Sequence, residues 1–260
     1  MPIVTVNLYL WEDMEHKSPA EIRHLSEAQQ RSRSWYIAGF IIGLLLFIPS
    51  FIISLHHSLT GFEARIFYDI NNWPNAFKTP ALWITEGLGA GYPIAACVLI
   101  PILFKRFRLA WRFFFTVGGA GIVMEIVKLI VKEPRPVVLL HGQLHERAIE
   151  TGLNSYPSGH MVVATAMAMI LWMILPKTWK WLSLVWIALV GISRIYLGVH
   201  TPLDVIGGVA IGMMAVSFVQ LLPFSIAKWL RLDNQKPVLA EGWEGLDISK
   251  PSKTKVSDSQ

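Results

Sequence analysis

A single cysteine, Cys97, stands in 260 residues, and it lies inside an apolar run. An intramolecular disulfide is excluded, and a thiolate metal centre would lack a second cysteine ligand. A small buried apolar residue is the expected role. Charge is scarce as well: Asp, Glu, Lys and Arg make up 16% of the chain, where a soluble domain carries about a quarter. That shortage argues against an aqueous globule. No cluster of carboxylates with metal-ligand character occurs, so no metal and no other cofactor is expected. The first 34 residues contain no apolar stretch of the kind a cleavable signal needs. The first hydrophobic segment is therefore expected to be kept as a membrane helix. Internal repeats and low-complexity blocks are lacking too.

Apolar residues are what the chain has in excess. They make up 53% of it, with eleven Trp and nine Met, and the mean hydropathy is +0.46. A bilayer core takes about 20 mostly apolar residues per helix. Segments 35–55, 81–104, 109–131, 160–175, 181–197 and 204–222 fit that template. The expected fold class is all-α, a polytopic membrane protein built as a six-helix transmembrane bundle over 35–222. A polar segment, 1–34, precedes it, and a flexible polar tail, 223–260, follows. Trp172, Trp179, Trp181 and Trp186 suit an interface belt. Gly118, Gly119, Gly121, Gly207, Gly208 and Gly212 are expected to let helices approach closely.

The net charge of +5 does not require a nucleic-acid partner. Arg23, Arg31 and Arg33 precede the first segment, Lys105, Arg106 and Arg108 follow the second, Lys177 and Lys180 the fourth, and Lys228, Arg231 and Lys236 the sixth. With alternating spans these groups share one side, which the positive-inside rule makes cytoplasmic. Both termini are then cytoplasmic, and connections 56–80, 132–159 and 198–203 face outward.

Ionisable residues near lipid are costly and tend to mark function. Three clusters stand out. Lys128 is followed after six residues by Arg135-Pro136, Tyr156-Pro157-Ser158-Gly159-His160 opens the fourth segment, and Ser193-Arg194 is followed by His200 and Asp204. The topology, assigned from hydropathy and loop charge, brings all three to the outward face. Lys128, Arg135 and Arg194 are suited to a phosphoryl group, whose oxygens carry the charge of its transition state. Ser158 and the Gly159 amide lie at a helix start, where free N–H groups favour anions. His200 and Asp204, four residues apart, can meet if the last helix starts early enough. A carboxylate on one ring nitrogen then leaves the other free to attack.

In order and spacing these clusters resemble the signature of the type 2 phosphatidic acid phosphatase (PAP2) superfamily, which includes bacterial undecaprenyl-diphosphate phosphatases and vanadium haloperoxidases. Lys128, Arg135, Pro136, Pro157, Ser158, Gly159, His160, Ser193, Arg194, His200 and Asp204 fill every signature position. The resemblance spans residues 109–222. It implies a metal-independent phosphatase of the cell membrane, with its site on the extracytoplasmic face (periplasmic in a Gram-negative cell). By that resemblance His200 is the nucleophile that becomes a phosphohistidine, and Asp204 orients it. His160 protonates the leaving group and then activates water, while Lys128, Arg135, Ser158, Gly159 and Arg194 bind the phosphate. The implied partners are a lipid phosphate and the bilayer, and no oligomeric state follows.

Undecaprenyl diphosphate leads as substrate, with phosphatidate or phosphatidylglycerol phosphate next, because the compact chain with short outer loops resembles bacterial members that recycle the carrier lipid. A phosphotransferase passing the group to an acceptor such as lipid A would use the same intermediate and stays open. A catalytically inactive lipid-binding relative is disfavoured, since no signature position is missing. Outside the clusters, Glu125 is expected to pair with Lys128 at i, i+3, and Glu86 either packs or meets the substrate headgroup. His56 and His57 are interfacial. His141 and His145, at helical spacing, are either a zinc pair or part of a solvated loop, the latter preferred.

Overall fold

The computed structural model describes residues 19–89, 107–150, 152 and 154–222, with isolated positions between 90 and 106. The flanking segments 1–18 and 223–260, Cys97, and the connection bearing Lys105 and Arg106 lie outside the described residues. Among the described residues every regular element is helical, apart from one isolated bridge between Pro134 and Asn154. The helices are α1 (Pro19–Ser54), α2 (Gly61–Asn71), α3 (Lys78–Gly89), α4 (Phe107–Val131), the single turn α5 (Pro136–Leu139), α6 (Gly159–Ile174), α7 (Trp181–Tyr196) and α8 (Pro202–Leu221).

Helices α4, α6, α7 and α8 match the expected apolar segments to within two residues at each end. Two differences have physical causes. First, α1 begins at Pro19 rather than near residue 35. The polar stretch before the apolar run is rich in Ala, Glu, Gln and Arg, all good helix formers, so the helix continues back through it. Second, the connection 56–80 is largely helical. Thr60 caps α2 by accepting the Glu63 amide at 3.1 Å, while the Thr60 amide donates to the Glu63 carboxylate at 3.4 Å. That reciprocal pair is a capping box. The segment expected at 81–104 starts earlier, at Lys78, and much of it beyond Gly89 lies outside the described residues.

Three described helices are long and apolar enough to cross a bilayer: Arg33–Ser54, Phe113–Val131 and Pro202–Leu221, with hydropathies of 2.5, 1.9 and 1.8. Their outward faces are apolar. Ile37, Ile41 and Leu45 on α1, with Ile122, Ile126 and Leu129 on α4, are exposed. Rows of exposed aliphatic side chains on helices of this length suit contact with lipid tails rather than water.

Helix α8 packs along α1, α6 and α4; α6 is also flanked by α7 and α3. Met161, Val162, Ala164, Ala166, Met167, Ala168 and Ile170 bury nearly the whole circumference of α6, as a helix apolar all round requires. Helices α6 and α8 approach closely. A Cβ on Gly208 would lie 2.6 Å from both the Ser158 carbonyl oxygen and the Met161 Cβ, and one on Gly207 would lie 2.4 Å from the Tyr156 ring. Gly212 repeats the pattern one turn on, against Thr165 and Val162. Gly118, Gly119 and Gly121 do not serve such contacts, since nothing lies within 4 Å of an added Cβ. Helix α4 turns Val117, Ala120, Met124 and Val127 inward instead, leaving those glycines off the packed face.

Gly208→Ala is therefore expected to destabilise the protein by about 1–3 kcal/mol through overpacking. Gly118→Ala should be neutral or slightly stabilising, since alanine is the better helix former. Thermal unfolding of the two variants in detergent checks the difference, and equal midpoints would contradict the packing described.

Candidate functional site

The three sequence clusters meet at one end of the bundle. The end of α4, the start of α6, the end of α7 and the start of α8 come together there, covered by the connection after α4. Local geometry at Asp204 organises the centre. Thr201 caps α8, accepting the Asp204 amide at 3.2 Å, and its own amide donates to Asp204 Oδ2 at 2.7 Å. Asp204 Oδ2 also accepts the Ser155 hydroxyl at 2.5 Å and lies 3.2 Å from His200 Nδ1. His200 precedes the helix, so its contact with Asp204 arises from the cap rather than from two side chains on one helical face. The Asp204 carbonyl accepts the Ser158 amide at 3.0 Å, which ties the second cluster to the third.

His200 and Asp204 are both buried, at 1% and 0% exposure. Burial, with the charges of Arg194, Arg135, His160 and Lys128 adding to it, holds the His200 pKa well below its usual range. The ring is thus neutral at physiological pH. Its Nε2 lies 3.3 Å from Arg135 Nη1. With Nδ1 donating to Asp204, Nε2 keeps its lone pair.

Around that nitrogen the cationic groups converge on a single carboxylate, Glu150. Arg194 Nη2 pairs with Glu150 Oε1, and Arg135 Nη1 lies 2.8 Å from Oε2. His160 Nδ1 and His200 Nε2 are each 3.8 Å from the same group. Arg194 is 2% exposed and is further held by Thr85, which accepts from Nη1 at 3.2 Å. Arg135 is oriented by the carbonyls of Gly152 and Val199, at 3.0 and 3.1 Å. Two guanidiniums and two imidazoles around one carboxylate make a seat for an oxyanion.

The remaining expected site residues border this seat. Lys128 reaches Glu125 at 3.8 Å, the anticipated i, i+3 pair. Gly159 opens α6, with Met124 Sδ 3.0 Å from where a Cβ would lie, and Ser158 is its N-cap. The Ser158 hydroxyl is buried with no hydrogen-bond partner among the described residues. Glu86 comes within 4.0 Å of His160 Nε2. His141 and His145 are exposed. Among the described residues no group of three or more His, Cys, Asp and Glu is placed to hold a metal ion.

Several participants had no clear signal in the sequence. Glu150 sits in the connection after α5, without a periodic pattern, and only its contacts with Arg135 and Arg194 reveal it. Arg147 anchors that connection. It donates to the carbonyls of Asn71, Tyr196 and Trp73 at 2.7, 2.9 and 2.9 Å, and to Asn75 Oδ1 at 2.8 Å. Its guanidinium also stacks on Tyr196, 4.2 Å from the ring centroid. Glu63 and Glu133 are buried carboxylates behind His200. Burial raises the pKa of both, Glu133 to about 9, with the charges of Asp204 and Glu63 adding to the shift at Glu133.

Comparison with known proteins identifies a family and several relatives. A model of the PAP2 superfamily matches residues 109–226. An undecaprenyl-diphosphatase of Sulfolobus acidocaldarius is 31% identical over 177 residues, covering 66% of this chain and 85% of the relative. The bacitracin transport permease protein BcrC of Bacillus licheniformis is 38% identical over 106 residues, 40% of this chain and 48% of that protein. Human sphingosine-1-phosphate phosphatase 2 is 32% identical over 124 residues, 45% of this chain and 29% of that protein.

Two solved structures share the fold. Aquifex aeolicus LpxE superposes with a TM-score of 0.56 at 24% identity, covering 62% of this chain and 96% of that one. The transmembrane PAP2-type phosphatidylglycerolphosphate phosphatase from Bacillus subtilis gives 0.54 at 23% identity, covering 68% and 94%. On the sequence it shares with the Sulfolobus enzyme over most of that protein's length, this chain belongs to the PAP2 superfamily.

Proposed function

We propose that the protein is a membrane phosphatase that hydrolyses a lipid phosphate or diphosphate through a phosphohistidine, with undecaprenyl diphosphate the leading substrate. The observation that carries this reading is the convergence of Arg135, Arg194, His160 and His200 on one oxyanion, the Glu150 carboxylate. A substrate phosphate in that place would have its oxygens between the two guanidiniums and its phosphorus in reach of His200 Nε2. Attack forms the N–P bond as the bond to the leaving oxygen breaks, and His160 supplies that oxygen's proton. Asp204 balances the charge that develops on the His200 ring. Water, deprotonated by His160, then cleaves the N–P bond and releases inorganic phosphate. Lys128 adds positive charge at the rim, and Ser158 and Gly159 contribute donors from the start of α6.

Six spans across residues 35–222, with basic connections and both termini on the cytoplasmic side, would place the seat at headgroup depth on the outer face. The substrate's tail then stays in lipid. The preference for undecaprenyl diphosphate is supported by the name of the Sulfolobus relative; phosphatidate and phosphatidylglycerol phosphate come next. None of these steps calls for a metal ion.

Two outcomes are expected. Purified protein in detergent with EDTA should release phosphate from undecaprenyl diphosphate faster than from phosphatidate, and His200→Ala should lower release by at least about a thousandfold. Release that depends on added metal, or that persists in the variant, would refute the mechanism. Separately, Glu150→Gln removes an anion that competes for the two guanidiniums. Inhibition by orthovanadate should tighten about tenfold, or roughly 1.4 kcal/mol, as read by the inhibition constant; an unchanged or weaker constant would show that Glu150 does not compete.

A further inference from the structure

Behind His200 lies a second acid that the reaction above leaves unused. Glu133 follows α4 by two residues and is buried. Its backbone is pinned beside the centre: the Glu133 carbonyl accepts the Ser155 amide at 2.7 Å, and Pro134 bridges Asn154. Ser155 is the residue whose hydroxyl holds Asp204 Oδ2.

The two oxygens of Asp204 are treated very differently. Oδ2 meets Ser155, the Thr201 amide and His200 Nδ1. Oδ1 is buried and has no hydrogen-bond partner among the described residues, and the same is true of Glu133 Oε2. Ser155 joins the two residues, its amide donating to the Glu133 carbonyl at 2.7 Å and its hydroxyl to Asp204 Oδ2 at 2.5 Å, and the Asp204 charge adds to the upward shift of the Glu133 pKa. Two buried acids joined through Ser155 thus each leave an oxygen without a donor, and one proton between the groups would serve both. Two buried carboxylates in contact cannot both stay charged, and sharing one proton turns repulsion into a hydrogen bond.

The surroundings decide where that proton rests. Asp204 has three donors on Oδ2 and the positive charge of Arg135 nearby. The groups acting on Glu133 include Ser54 from α1, Glu63 from α2, Tyr156 from the connection before α6 and Asp204 from α8, none of them a cation. His57 lies close by, with Nε2 2.7 Å from the Val131 carbonyl. The charge is best accommodated on Asp204 and the proton on Glu133.

We propose that Glu133 is a positioning residue for the phosphoryl-transfer step: as an uncharged acid it donates to Asp204 Oδ1, so that Asp204 keeps its charge and holds Oδ2 against Nδ1 of His200. The donor fills the last open site on that carboxylate and locks its plane. The Nδ1–H tautomer of His200 is thereby fixed, and Nε2 stays aimed at the phosphate seat. The pair carries one negative charge in total, enough to balance the histidine as it gains the phosphoryl group. Once Glu133 is deprotonated the two carboxylates repel, and the alignment is lost.

This inference rests on the phosphohistidine reading for its readout, and the test separates the two. Steady-state kcat and KM are measured in detergent from pH 5 to 10, on whichever of undecaprenyl diphosphate and phosphatidate the wild type turns over faster. The proteins compared are wild type, Glu133→Gln, Glu133→Leu and His200→Ala.

Glutamine keeps a donor, so Glu133→Gln should hold kcat within about threefold at neutral pH. It should also lose the alkaline fall that burial places near pH 9 in the wild type, since glutamine cannot ionise. Leucine offers no donor, so Glu133→Leu should lose about tenfold or more in kcat with KM within about twofold. Glu133→Leu at the wild-type kcat, Glu133→Gln slowed as much as the leucine variant, or the same alkaline limb in wild type and Glu133→Gln would each overturn the inference. Should the leucine variant fail to fold, the rate and pH profile of Glu133→Gln decide alone. Wild-type turnover that survives in His200→Ala would instead overturn the phosphohistidine reading itself.

Discussion

The site depends on one carboxylate. Asp204 closes the cap that starts α8, holds the ring of His200, and accepts the hydroxyl of Ser155, all through Oδ2. Its backbone carbonyl meanwhile receives the Ser158 amide. A structural duty and a chemical one are thus carried by the same side chain. The start of α8 cannot move without moving His200, and the start of α6 follows because Gly208 leaves no gap between the two helices. A capping bond is ordinarily a modest contribution of about 1 kcal/mol. Here its importance lies in the alignment it transmits.

Electrostatics differ on the two sides of that centre. On the open side Arg135, Arg194 and His160 surround the seat, and Glu150 pairs with both arginines. On the closed side Glu63 and Glu133 lie behind His200 among apolar groups. Burying so many ionisable groups is costly unless each is paired or neutral. The pairing is visible for both arginines, and burial keeps His200 neutral. The site is therefore a field built at the expense of stability, and the α6–α8 interface is the place where close packing offsets it.

Much of this was legible in the sequence, and the gaps are instructive. Apolar run length located α4, α6, α7 and α8 because a helix buried in lipid or protein has few other constraints on its ends. The spacing of Lys128, Arg135, His160, Arg194, His200 and Asp204 identified side chains that the fold brings to one end of the bundle. The contact expected between His200 and Asp204 is made, through the Thr201 cap rather than along a helical face. The glycines of α4 misled, because composition says that a residue is small without saying which way it faces. Glu133 and Glu150 were illegible for a different reason. An acid in a connection looks like a solvated loop residue until the fold shows which charges, or which lack of charge, surround it.

Arg147 clamps the connection before α6 to the carbonyls at the ends of α2 and α7, only three residues before Glu150. The far side is fastened by Asn154, whose amide donates to the Lys128 carbonyl at 3.2 Å. Glu150 is thus an anion on a short leash. A tethered group acts at the high effective concentration its linker allows, on the order of millimolar for short flexible links. A small free anion at low concentration competes poorly with such an occupant. The lipid phosphate proposed as substrate, concentrated by the bilayer and held by its own tail, would be tethered in the same sense, and the contest for the seat would then be one between two leashed anions.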